Sequence, residues 1–293
     1  MLPWLQEPFE RTLSLHGEGR LPHGLLVRGY EGWGEVVFAE ALARALLGLK
    51  TDAALKTVAH PDLKWIEPDG AVIKVDAIRE VAAFATGTRQ AAPCKVAVIE
   101  AAELMNEAAA NALLKTLEEP PPDTYLILAS ARPARLLPTV ISRCQAIALL
   151  RDKAGARKWL AEQDSEGPDI DEKLFECGGA PLLVASALAA GEPALGPVLG
   201  RLAASTPVSQ AIGELLDWDL DRLTGAWYRH CSALLAGESR IPGVDAAGGP
   251  ALAAFVQELA AIRRQLLTTN SANARILLER LLVRWQSVLH AAA

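Results

Sequence analysis

Across residues 24–150, short strand-type runs alternate with longer runs of helical periodicity, and this alternation constrains the fold more than any other feature of the chain. The runs 25–28 (LLVR), 95–99 (KVAVI), 124–130 (TYLILAS) and 145–149 (QAIAL) are largely apolar without a polar face, the pattern of strands covered on both sides. Helical runs at 35–47, 75–86 and 107–117 lie between them. In the last, Ala109, Ala112, Leu113 and Leu117 recur at helical spacing while Lys115, Glu118 and Glu119 point elsewhere. Strands alternating with helices predict an α/β unit with a parallel sheet covered by helices.

After Leu150 the strand signal stops and an all-α pattern takes over. Helices are expected at 153–163, closed by the polar stretch 164–169, then at 170–177 before Gly178 and Gly179, then at 181–190 with Pro181 in the first turn. Gly191, Pro193, Gly196 and Pro197 form a cluster of breakers that predicts a linker. From Val198 on, helices are expected at 215–236, carrying Trp218, Leu223, Trp227 and Leu234, and, beyond a Gly/Pro patch at 241–250, at 251–267 and 273–290.

The 293 residues are enough for two or three domains, and an apolar content of 51% excludes a disordered chain. The longest run without a charge, 177–191, is broken by Gly178, Gly179 and Pro181 and is too short to span a bilayer. The segment MLPWLQEPFER has no basic region followed by an apolar one, so the expected location is cytoplasmic. Cys94, Cys144, Cys177 and Cys231 contain no CxxC pair, which argues for reduced, partly buried thiols rather than a zinc knuckle or a disulfide framework. A net charge of -6 gives no chain-wide basic field for nucleic acid.

The first strand runs into Gly29-Tyr30-Glu31-Gly32-Trp33-Gly34-Glu35-Val36 and then a helix, the layout of a loop that cradles phosphate with backbone N–H groups. A working loop of this type ends in Gly-Lys-Ser/Thr. Here Glu35 stands at the lysine position and Val36 at the hydroxyl position, which replaces attraction for phosphate by repulsion and removes a magnesium ligand. After the strand 95–99 an active enzyme would carry a metal-binding Asp and then a Glu that activates water; this chain has Glu100, able to hold a metal, and Ala101, which cannot act as a base. Gly29, Gly32 and Gly34 then either make only a tight turn or mark vestigial nucleotide binding. The expectation is neither tight ATP binding nor hydrolysis.

The segments PWL (3–5), GRLPHGLL (19–26), HPD (60–62), ANALLKTLEEPP (110–121) and LPTVISRC (137–144) resemble the delta-prime family of bacterial DNA polymerase III clamp-loader subunits. The resemblance is carried by residues 1–150 and extends to the rest by length and layout. It implies an AAA+-like P-loop domain (1–150), a three-helix lid (151–193) and a helical collar domain (194–293) that joins a hetero-oligomeric ring. It implies partners of gamma/tau and delta type, a sliding clamp and, mainly through the complex, primed DNA, with no membrane. Many relatives carry a four-cysteine zinc module before the HPD segment; residues 47–59 hold no cysteine, so no zinc is expected. The lid of ATP-binding relatives places an arginine shortly after the glycine pair, and residues 178–183 have none. The alternative is an active AAA+ ATPase of gamma/tau type.

Taken alone, Arg143 reads as a surface arginine in a salt bridge or on DNA phosphate. The resemblance makes it an arginine finger acting in trans on a neighbour's nucleotide, with Ser142 and Cys144 as supporting residues without chemistry of their own. A planar, permanently charged guanidinium suits the charge that spreads over a transferring phosphoryl group. Asn111, Lys115 and Glu118 line a solvated or intersubunit face, and Arg263, Arg264, Arg275, Arg280 and Arg284 suit collar contacts or solubility. The tryptophans read as core or interface. His16, His23, His60, His230 and His290 show no ligand spacing.

Overall fold

The computed structural model describes residues 1–163, 170–203, 207–216, 218–244, 249–266 and 273–290. The expected polar stretch 164–169 and part of the 241–250 patch lie outside the described residues. The chain divides into two compact units, Met1–Ala156 and Arg157–Ala293.

The first unit is built on five parallel strands, β1 (Gly24–Arg28), β2 (Leu63–Ile66), β3 (Lys95–Ile99), β4 (Thr124–Ser130) and β5 (Gln145–Ala148), in the order β2-β3-β4-β1-β5. β1 sits between β4 and β5, with Gly24 level with Leu126 and Leu25 level with Gln145. Helices α1 (Gln6–Gly17), α2 (Glu35–Leu47), α3 (Val75–Thr86), α4 (Glu107–Glu118) and α5 (Pro138–Ile141) complete the unit. Leu26, Ala97, Ile99, Leu126 and Leu128 form one core with Ile78 and Val81 of α3 and Leu113 and Leu117 of α4. The alternation of a strand leaves Leu25, Val27, Val96, Val98 and Ile127 for the opposite face, against which α2 packs. The expected strands and helices of this region are all present. The sequence reading had no place for β2, a four-residue edge strand, nor for α1.

The second unit is entirely helical among the described residues: most of α6 (Lys153–Glu162), then α7 (Ile170–Glu176), α8 (Pro181–Ala189), α9 (Leu195–Ala203), α10 (Val208–Leu215), α11 (Leu220–Leu235), α12 (Pro250–Leu266) and α13 (Ala274–His290). Leu160, Cys177 and Val184 form a small core among α6, α7 and α8. A larger core joins α9 to α13 around three rings, with Trp227 5.6 Å from Phe255 and 6.3 Å from Trp285, both edge-to-face.

Two helix starts differ from expectation. Gly196 and Pro197, read as linker, lie in the first turn of α9, because the Glu176 carboxylate accepts the Leu195 and Gly196 N–H groups at 2.5 and 3.3 Å and so caps the helix from a distance in sequence. The expected helix from Leu215 is two: Leu215 closes α10, and the Asp219 side chain accepts the Arg222 N–H at 2.9 Å to start α11.

Candidate functional site

β1 ends at Arg28 and leads into the glycine loop at the C-terminal edge of the sheet, beside the β4 end: the Gly29 N–H donates to the Ser130 carbonyl at 3.0 Å. In a parallel sheet such an edge, where the strand order reverses, is where ligands are received. Gly32 and Gly34 have φ of 72° and 95°, a left-handed backbone that a side chain disfavours, and Gly34 starts α2. The loop is pinned from outside. Trp33 is buried, its carbonyl accepts the Trp4 indole N–H at 2.9 Å, Glu31 pairs with Arg132 at 2.7 Å, and Arg151 stacks on Tyr30 at 3.5 Å.

Inside the loop the Glu35 side chain folds back over Gly29, so close that a β-carbon on Gly29 would stand 2.7 Å from that of Glu35. Its Oε2 is enclosed and has no hydrogen-bond partner. Burial, with smaller contributions from Glu103 and Glu31, pushes the Glu35 carboxyl up to about 7, against backbone N–H bonds that pull it down. Val36 follows with no hydroxyl to offer a cation.

After β3, Glu100 accepts the Trp65 indole N–H at 3.2 Å from the edge strand β2, so its carboxylate serves the sheet. Ala101 adopts φ 48°, in the left-handed region that residues with a β-carbon seldom occupy. Glu35 therefore stands among the carboxyl groups of Glu103 and Glu31.

Arg143 lies at the other end of the sheet. It follows α5 by two residues and precedes β5, and its carbonyl crowds Gly24, the first residue of β1. Gly24 and Gly29 bracket β1, so the two ends are about 16 Å apart at 3.3 Å per residue. The Arg143 Nε donates to Glu118 Oε1 at 2.8 Å and Nη2 lies 2.5 Å from the same oxygen, while Nη1 donates to the Thr139 carbonyl at 2.9 Å and lies 3.4 Å from Ser142 Oγ. The Arg143 side chain is one-third exposed. Cys144 packs against the sheet core, and burial pushes its thiol up to about 11. Asn111 and Lys115 are exposed on α4 with Glu118.

The HPD segment has a structural use that sequence did not reveal. Asp62 is sealed from solvent, and its carboxylate accepts N–H bonds from Gln90, Ala91 and Ala92 at 2.6–2.8 Å. Burial raises this carboxyl, but the three N–H bonds outweigh it and hold it below the usual range.

The fold also assembles a buried cluster that spacing hid. His230 Nε2 on α11 lies 3.2 Å from Glu176 Oε1 and 3.4 Å from Glu172 Oε1 on α7, three ligand-type atoms within 4.8 Å. Their charge is already met: Lys173 Nζ lies 3.2 Å from Glu176 Oε2 and Arg240 Nη1 lies 3.5 Å from Glu172 Oε2. With two backbone N–H groups also on Glu176, this donor set suits a polar lock between helices better than a divalent cation. Of the basic residues on the last two helices, Arg263 pairs with Asp221, and Arg280 and Arg284 pair with Glu258. The four cysteines are free thiols.

A sequence profile of the family described as DNA polymerase III, delta subunit, matches residues 6–153. DNA polymerase III subunit delta' of Pseudomonas aeruginosa is 32% identical over 98% of this chain and 97% of its own length. The subunit of the same name from Escherichia coli K12 is 30% identical over 98% of this chain and 96% of its own length. A gamma subunit-related protein of DNA polymerase III from Thermotoga maritima shares the fold, with a TM-score of 0.54 at 18% identity, covering 95% of this chain and 99% of that one.

Proposed function

Because the chain belongs to the delta-prime family of DNA polymerase III subunits, we propose that it is the ATPase-inactive member of a clamp loader and lends Arg143 to the nucleotide of an adjoining subunit. The observation that carries this reading is the enclosed Glu35 carboxyl: it fills the turn of the glycine loop with a group that repels phosphate when ionised and offers no positive charge when protonated. Ala101 supplies no base to activate water. The placement of Arg143 supports the second half. Its carbonyl lies against Gly24, at the end of β1 opposite the loop and about 16 Å away along the strand, which favours a phosphate held by another chain.

In this reading residues 1–150 are the AAA+-type domain, 151–193 the lid and 194–293 the collar domain through which the chain joins gamma/tau and delta subunits. The assembly opens or holds the sliding clamp and places it on primed DNA. The chain itself needs neither ATP nor zinc, and among the described residues no helix is long and apolar enough to cross a membrane.

The test is direct. The isolated protein is expected to show no micromolar binding of a fluorescent ATP analogue and no phosphate release above a control without protein. Turnover by the isolated chain would instead make it an active ATPase of gamma/tau type.

A further inference from the structure

We propose that Glu118 is the positioning residue for Arg143: its carboxylate holds the guanidinium against α5 while no nucleotide faces it and yields it when the terminal phosphate of a neighbour's nucleotide arrives. This rests on the trans role of Arg143 proposed above.

The hydrogen bonds of Arg143 leave little of it for a phosphate. All three guanidinium nitrogens are engaged within the chain: Nε and Nη2 on Glu118 Oε1, Nη1 on the Thr139 carbonyl and near Ser142 Oγ. An arginine that clamps a phosphoryl group needs two N–H groups side by side and facing outward. Here Nη1 closes a carbonyl of the short helix α5 and Nη2 faces a carboxylate, so the observed arrangement is a resting one. The negative charge of Glu118 also stands where an incoming phosphate would have to approach, and like charges in one place are unfavourable.

The hold is built to be released. Both Arg143 contacts to Glu118 fall on a single oxygen, which forgoes the paired bonds of a carboxylate–guanidinium fork. Both side chains reach solvent, at 34% and 51% exposure, and an ion pair this open contributes little. A terminal phosphate carries more charge than a carboxylate and three acceptor oxygens, so it wins the arginine once it is within reach. Glu118 is the last residue of α4 and Arg143 follows α5, two elements packed on one another, so the resting position is fixed by the fold and not by a mobile tail.

The experiment uses the reconstituted clamp loader with wild-type chain, Glu118→Gln, Arg143→Ala and the double variant, measuring ATP hydrolysis across ATP concentration with clamp and primed DNA present. Glu118→Gln removes the competitor and is expected to raise kcat/KM about two- to five-fold, the size one exposed ion pair can account for. Arg143→Ala is expected to lower kcat, and the double variant to match Arg143→Ala alone, because Glu118 acts only through the arginine. If Arg143→Ala lowers kcat while Glu118→Gln leaves kcat/KM unchanged, or lowers it, the positioning role is wrong and the trans arginine stands. A Glu118→Gln effect that persists without Arg143 likewise overturns the positioning role. If Arg143→Ala changes nothing, the trans arginine itself falls, and Glu118 with it.

Discussion

Glu35 stands where a working phosphate loop has its lysine, and its burial also shapes the stability of the chain. Its carboxyl titrates near 7 in the folded protein against an ordinary 4.5, so between those values the folded state binds more protons than the unfolded one. Folding stability therefore declines as pH rises from about 4.5 to about 7 and is flat above, with a full deficit of about 3 kcal/mol. Glu35→Gln keeps the shape and removes the ionisation. It is expected to flatten that slope and to stabilise the protein by up to about 3 kcal/mol at pH 8, read from urea unfolding at a series of pH values. Equal stability of the two proteins at pH 8 would mean that the carboxyl is not enclosed as described. The identity of residue 35 was legible in the sequence, and so was the charge it sets where a phosphate-binding loop has a lysine. Its burial and its contact with Gly29 were not, because they depend on how the loop is pinned by Trp4 and Arg132, 31 residues before and 97 after it.

Among the elements, the strands of the first unit could be read from sequence because each is covered on both faces and needs an apolar run. β2 escaped because it has only four residues and Lys64 breaks its apolar run at the sheet edge, where burial is partial. α9 escaped for a different reason. Locally Gly196 and Pro197 argue against a helix, and what overrides them is a carboxylate 19 residues earlier that caps its N-terminus. Glu176 in turn is held below its usual range: burial raises it, and the His230 contact, Lys173 and the Leu195 N–H outweigh that. Glu176→Ala is expected to leave buried Lys173 without its carboxylate and to destabilise the second unit by about 3–5 kcal/mol. Hydrogen exchange should then show lost protection of the Leu195 and Gly196 amides, with the strands of the first unit unaffected. Retained protection at those two amides would show that α9 starts without Glu176. The signal in the sequence that could have found part of this cluster is Lys173-x-x-Glu176 on a short helix, a spacing that places both charges on one face where they can pair.

At the scale of the whole molecule, the departures from a working phosphate loop stand at several positions, Glu35, Val36 and Ala101, so on the proposed function one substitution does not restore the chemistry. Installing Glu35→Lys with Val36→Thr restores the cation and the hydroxyl and is expected to tighten binding of a fluorescent ATP analogue at least tenfold. The same variant is expected to release no phosphate, because Ala101 still provides no base. Turnover by this variant, measured as phosphate release, would show that the defect resides in the loop alone. The two ends of β1 give the molecule a polarity with a consequence for counting. When protomers stand head to tail, each junction joins the loop end of one chain to the arginine end of the next, as in any heterologous contact. On the proposed function, this chain completes one junction with Arg143 and leaves the one at its own loop idle, so a closed ring containing one such chain has one firing junction fewer than members, and the idle one marks a fixed seam.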